Sequence, residues 1–128
     1  MSLQKMIDTH PQVKDETEEL ILAARHAMLC SLFCTSCADA CVAEDGDMAQ
    51  CIRYCSDTAD ICAATARLAV RRTAQNIDVL RAQLELCIKA CETCAEECEK
   101  HENEHCAKCA EMCREVERDL QKCLDSVD

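Results

Sequence analysis

Residues 30–41 read CSLFCTSCADAC and residues 87–98 read CIKACETCAEEC. Both place cysteines at the same spacing of four, three and four: Cys30, Cys34, Cys37 and Cys41 in one, Cys87, Cys91, Cys94 and Cys98 in the other. On an α-helix those steps return to one stripe. Upstream, the same register passes through Ala27, Ala23, Leu20 and Val13 in the first segment and Leu84, Leu80 and Ile77 in the second. Each stripe is therefore apolar for one half of its helix and thiol for the other. Two further segments carry matching stripes: Cys51, Cys55, Thr58 and Cys62, then Cys106, Cys109, Cys113, Val116, Leu120 and Cys123.

Punctuation between the stripes sets the elements. Helices are expected over residues 12–44, 48–72, 76–101 and 104–126, with a short helical turn before Pro11, which suits the first turn of the helix that follows. Gly46 provides a left-handed C-terminal position, and Asp47 with Gln50 forms a capping-box pattern. Thr73 or Asn76 caps the third helix and Asn103 the fourth, while Arg67, Arg71 and Arg72 favour the C-terminal end of the second. Helices 1 and 2 repeat as helices 3 and 4. Short loops make neighbours antiparallel, so the fold class is all-α: an antiparallel four-helix bundle with a cysteine-lined core, one domain over residues 1–128. The cysteines of helices 1 and 3 occupy C-terminal halves and most of those of helices 2 and 4 N-terminal halves. All four sets then meet at the end carrying the 44–47 and 101–104 loops, with an apolar plug at the other. Cys30 to Cys41 spans roughly 16 Å of helix axis.

Composition narrows the function. The 128 residues include 15 Cys and 18 Ala but one Gly, one Pro, one Phe, one Tyr and no Trp. Sheet folds lack their strand and turn residues here, and a Gly-rich phosphate loop has no glycines to use. A formal net charge of -11 repels a phosphate backbone, so no nucleic-acid partner is expected. No run of 18 apolar residues is found, so no membrane partner is expected either, and Met1–Val13 has no apolar signal stretch. The helical spacing of the cysteines and their odd number argue against a secreted disulfide scaffold and for a reducing, cytoplasmic compartment.

A single buried cysteine behaves as a small hydrophobe. Replacing nearly a whole seam of leucines with thiols gives up apolar area and packing at many positions at once, which core packing alone does not explain. Thiolates select Cu(I), Zn or iron–sulfur clusters. CxxC pairs suited to zinc occur at Cys34/Cys37, Cys91/Cys94 and Cys106/Cys109, but the wider i,i+4 pairs are more numerous. Sulfurs stacked on successive turns can pinch a Cu(I) ion in near-linear geometry, and one thiolate can bridge two ions. A ladder of multiple Cu(I) ions per chain results, with a core far less charged than empty thiolates. Iron–sulfur binding loops are missing. Met48, His101 and His105 lie at the thiol-rich end, where transient ligands would guard an entrance. His26 and Met28 lie off or beside the seam, and neither they nor His10 are assigned as ligands.

The run Cys87-x-x-x-Cys91-x-x-Cys94-Ala95-Glu96-Glu97-Cys98, followed by His101 and His105-Cys106-x-x-Cys109-Ala110-Glu111-x-Cys113, resembles the bacterial copper storage proteins, most closely their cytosolic branch. The resemblance covers residues 15–125. It implies a four-helix bundle that binds Cu(I) through Cys30, Cys34, Cys37, Cys41, Cys51, Cys55, Cys62, Cys87, Cys91, Cys94, Cys98, Cys106, Cys109, Cys113 and Cys123, with His101 and His105 at the mouth. It also implies a homo-tetramer, and a copper chaperone is a candidate partner. Thr58 and Val116 stand where fuller members place thiols, so capacity is expected to be lower and Cys62 and Cys123 to bind more weakly. The expected role is storage or sequestration of Cu(I) rather than catalysis. The alternatives are a Cu(I)- or Zn(II)-responsive sensor or partner-binding module, and a redox enzyme.

Overall fold

Apolar and thiol stripes at helical spacing fold as helices whose stripes face one another. The computed structural model describes residues 2–12, 18–71 and 76–126, which form α1 (Leu3–Asp8), α2 (Glu18–Val42), α3 (Ala49–Val70), α4 (Ile77–Cys98) and α5 (Glu104–Ser126). Among the described residues there is no strand. The four long helices pack in a ring: α2 on α3 and α5, and α4 on α3 and α5. Neighbours run antiparallel, since contacts descend one helix as they ascend the next: Cys30, Cys34 and Cys37 of α2 meet Cys113, Cys109 and His105 of α5. In the same way Cys51, Cys55 and Cys62 of α3 meet Cys98, Cys94 and Cys87 of α4.

The two halves of the bundle are held differently. At the end away from the 44–47 loop, Leu20, Leu80, Leu84, Val116 and Leu120 fill the core, none more than 2% exposed. A fully buried side chain of this kind contributes about 1.5–3 kcal/mol relative to exposure. The buried alanines 23, 24, 27, 66 and 69 let the helices approach one another closely there. The short α1 lies against this half, with Ile7 packed on Ile21 and the Ser2 hydroxyl accepting the Lys5 N–H at its start. Toward the other end, thiols replace leucines on all four inner stripes.

Several boundaries differ from the sequence reading. Pro11 and Gln12 sit in a turn, so the first long helix does not begin at Gln12, whose N–H instead donates to His10 Nδ1. Val13, Arg72 and Thr73 lie outside the described residues. Gly46 takes φ +95°, as expected of a left-handed C-terminal residue. The capping box does not form. Met48, not Asp47, occupies the N-cap position of α3, because its side chain turns into the core, 6% exposed. Asp47 then accepts the Ala49 N–H from one residue further out. Asn76 does precede α4, but its side chain donates back to the Arg71 carbonyl rather than capping the helix. One further departure concerns α2. Despite Arg25 and His26, it is long and apolar enough by length and composition to cross a membrane, with its inner stripe buried in the bundle and Leu22, Leu29, Leu32 and Phe33 exposed.

Two substitutions test this division. A Cβ at Gly46 meets no atom within 4 Å, so Gly46→Ala is opposed by backbone strain alone and is expected to cost about 1–2 kcal/mol in denaturant unfolding. Leu84→Ala, in the apolar half, is expected to cost about 2–5 kcal/mol in the same measurement.

Candidate metal centre

All 15 cysteines are free, and none is more than 2% exposed. Apart from that of Cys123, their sulfurs form a connected array rather than isolated pairs. Cys30 Sγ lies 3.7 Å from Cys113, Cys113 lies 3.8 Å from Cys34, and Cys34 lies 3.7 Å from Cys109. Cys109 is 4.0 Å from Cys55, which is 3.7 Å from Cys94 and 3.9 Å from Cys98, and Cys98 is 3.8 Å from Cys51. Deeper in the bundle, Cys62 lies 3.6 Å from Cys87 and 3.8 Å from Cys91.

Four groups of sulfur and nitrogen atoms each fall within 4.8 Å of one another, close enough to share an ion. They are Cys34, Cys94, Cys109 and Cys113; Cys37, Cys55, Cys98 and Cys109; Cys37, Cys41, Cys106 and His105; and Cys30, Cys62 and Cys91. Cys109 belongs to two groups, and so does Cys37. This sharing bears on the choice of ion. A closed zinc site takes four thiolates of its own and keeps a double negative charge in a dry core, which is costly to bury. Monovalent ions bridged by shared thiolates approach neutrality.

The thiols polarise one another. Where a neighbouring S–H donates, the accepting sulfur is favoured as a thiolate. Cys113 chiefly lowers Cys30, Cys109 chiefly lowers Cys37 and Cys94, and Cys62 lowers Cys87 to about 4. Their crowded neighbours move the other way: Cys34, Cys55 and Cys98 are raised beside Cys109, and Cys91 beside Cys113. Burial pushes Cys106 and Cys123 up to about 12. Each of the four groups therefore contains one sulfur, Cys94, Cys37 or Cys30, already favoured in the form that binds metal.

The loop end is built differently from the shaft. His105 Nδ1 lies 3.3 Å from Cys37 Sγ and 3.6 Å from Cys106 Sγ, while its Nε2 is 3.5 Å from Glu44 Oε2. Cys37, with Glu44 beyond it, raises the His105 pKa. Asn103 at the start of α5 donates to the same Glu44 carboxylate, fixing the end of α2 against α5. His101 turns instead to the buried Glu97, Nε2 to Oε2 2.9 Å.

The structure thus brings His105 to the thiols and leaves His101 paired with a carboxylate outside the four groups. Met48 is buried in the thiol half of the core. Thr58 fills its place on the α3 stripe and donates to the Ala90 carbonyl at 3.2 Å, and Val116 is fully buried. Cys62 is not isolated by this gap, since it contacts both Cys87 and Cys91. Cys123 is apart from the array, its Sγ donating to the Glu19 carbonyl at 3.0 Å. Sequence reasoning assigned no role to Glu44 or Glu97, the carboxylates beside His105 and His101. Helical register could have placed Glu97 one turn before His101, but nothing local joins Glu44 to residues about sixty positions away.

Comparison with known proteins adds to this geometry. A solved structure of the copper storage protein Ccsp from Streptomyces lividans, loaded with 10 copper equivalents, superposes with a TM-score of 0.91 at 35% identity, covering 97% of this chain and 98% of that one. A second, of copper loading to a cytosolic copper storage protein from Streptomyces lividans (five coppers), gives 0.81 at 39% identity over 84% and 93%. The uncharacterized cysteine-rich protein YhjQ of Bacillus subtilis is 35% identical over 79 residues, 60% of this chain and 69% of that protein. The sequence model of the family described as copper storage protein matches residues 14–125, and the chain belongs to that family.

Proposed function

We propose that this protein stores Cu(I), many ions per chain, on the thiolates of its bundle core. The observation that carries this reading is the sharing of Cys37 and Cys109 between ligand groups inside a fully buried sulfur array. Soft ligands select a soft ion, and bridging sulfurs let many monovalent charges be neutralised together. The ligands are the 15 cysteines, with His105 as an additional donor at the loop end and Met48 and His101 as transient ones. Cu(I) enters between Cys37, Cys41, Cys106 and His105 and passes from thiolate to thiolate toward Cys62, Cys87 and Cys91. Cys123, without a thiol neighbour in the array, adds little. The role is a store and not an enzyme, a reading supported by membership of the copper storage family.

The cytosol suits this reading, since the thiols are free and the Streptomyces lividans relative is described as cytosolic. Assembly as a homo-tetramer is supported by the family and by the apolar outer face of α2, where Leu32 is 61% exposed. A copper chaperone is the candidate donor.

Anaerobic titration of the reduced protein with Cu(I) against a chromophoric chelator is expected to leave about ten or more ions per chain. One or two would replace storage with the sensor reading and call for the same titration with zinc. Cys109→Ser, which breaks two ligand groups, is expected to lose several ions and Cys123→Ser at most about one. Loading replaces thiol protons, including those that burial holds on Cys106 up to about 12. Protons are therefore released as copper binds, and the copper retained against the chelator falls as pH drops from about 7 to 5; a pH-stat titration checks the sign. Because the ions bind only the folded arrangement, loading is expected to raise Tm by roughly 10 °C or more in a calorimetric scan. Sedimentation equilibrium is expected to give the mass of four chains, and Leu32→Lys to shift it to a smaller species.

A further inference from the structure

We propose that His26, Glu115 and Asp119 form a second metal site, separate from the thiol core, for one divalent transition-metal cation held between α2 and α5. One ligand atom from each of the three lies within 4.8 Å of the other two. His26 Nδ1 is 2.6 Å from Asp119 Oδ2 and 3.7 Å from Glu115 Oε1, a contact across 93 positions of sequence. The side chains are partly enclosed, at 25% exposure for His26, 15% for Asp119 and 45% for Glu115.

Charge makes this arrangement a cation site. Glu115 and Asp119 are one helical turn apart on α5, where two like charges repel. Among the described residues, the ion pairs of both carboxylates are with His26 and not with a lysine or arginine. A neutral imidazole leaves two negative charges side by side, in a chain already carrying a net charge of -11. A divalent cation cancels both.

The donor set selects the class of ion. One imidazole and two carboxylates suit Zn(II) and its neighbours and offer no sulfur to Cu(I). Ca(II) and Mg(II) favour oxygen ligands alone. On binding, the cation takes the Nδ1 lone pair and the neutral imidazole carries its one proton on Nε2, so no net proton is released. The 2.6 Å contact then opens slightly to admit ligand bonds of about 2.0–2.2 Å. Remaining positions go to water. The site ties α2 to α5 on the level of Val116 and Leu120 and shares no residue with the thiol groups, so its ion is a structural clamp and not part of the stored load.

The test uses Cu(I)-saturated protein, so that added zinc finds no free thiols. After anaerobic dialysis against about 10 µM Zn(II), the wild type is expected to keep about one zinc per chain, and zinc to raise its Tm. His26→Gln and Asp119→Asn are expected to lose that zinc and its Tm shift by at least about tenfold in occupancy, with the copper count unchanged. Glu115→Gln preserves the 2.6 Å His26–Asp119 contact and so guards against a merely structural loss; it must lose the zinc too. No zinc on the wild type, or equal zinc on the wild type and all three variants, overturns the proposal. Copper is counted in the same samples. A core that fails to load sinks the storage reading, while the zinc difference between wild type and variants still decides this one.

Discussion

Sulfur packed against sulfur, where a helical bundle ordinarily packs hydrocarbon, is the constraint to which the rest of this molecule answers. A cysteine fills less space than a leucine and buries less apolar surface. A core of cysteines from Cys41 and Cys51 down to Cys30 and Cys87 cannot hold four helices together by itself as firmly as an aliphatic seam. The apolar half compensates: Leu20, Leu80, Leu84, Val116 and Leu120 are concentrated at one end, and alanines bring the helices close. Unlike the apolar half, the thiol half is expected to gain stability from the ions it binds. The bundle is in that sense two materials joined end to end on the same four helices.

The same constraint explains which parts of the molecule are legible in its sequence. The spacing of Cys30, Cys34, Cys37 and Cys41 specifies a helix face, and a helix face in a bundle is either inside or outside. All 15 cysteines are accordingly where the register puts them, and Gly46 turns where a positive φ is required. Contacts between helices are another matter. Glu44 reaching His105, or His26 reaching Asp119, depends on how two antiparallel helices are offset, and no local pattern states that offset. The failed capping box at Asp47 has a similar origin. Local chemistry favours Asp47 as the cap, but burying Met48 in the thiol half moves the start of α3 by one residue, and packing outweighs a capping preference of about 1 kcal/mol. Off the seam, His26 reads as an incidental surface residue until α5 is placed beside it.

Sharing of ligands alters what a binding site means here. Cys109 and Cys37 each serve two groups, so an ion in one group changes the sulfur charge available to the next. The hydrogen-bonded thiols already couple in this way before any metal arrives, with Cys109 favouring the thiolate form of both Cys37 and Cys94. Removing a proton or adding an ion at one sulfur is therefore felt along the array. Occupancy belongs to the array as a whole, and individual sites have no fixed affinity of their own.

The apolar plug beyond Cys62 and Cys87 has one more consequence. With leucines filling the far end and His105 beside Cys37 at the near one, the proposed route admits ions to the thiol chamber at the loop end. Such a vessel behaves as a stack and not as a queue. Ions that travel furthest in during a period of plenty would be the last to leave in scarcity, while those nearest the loops would turn over quickly. A single protein chain would thus hold both a working balance and a long-term reserve, distinguished by depth alone.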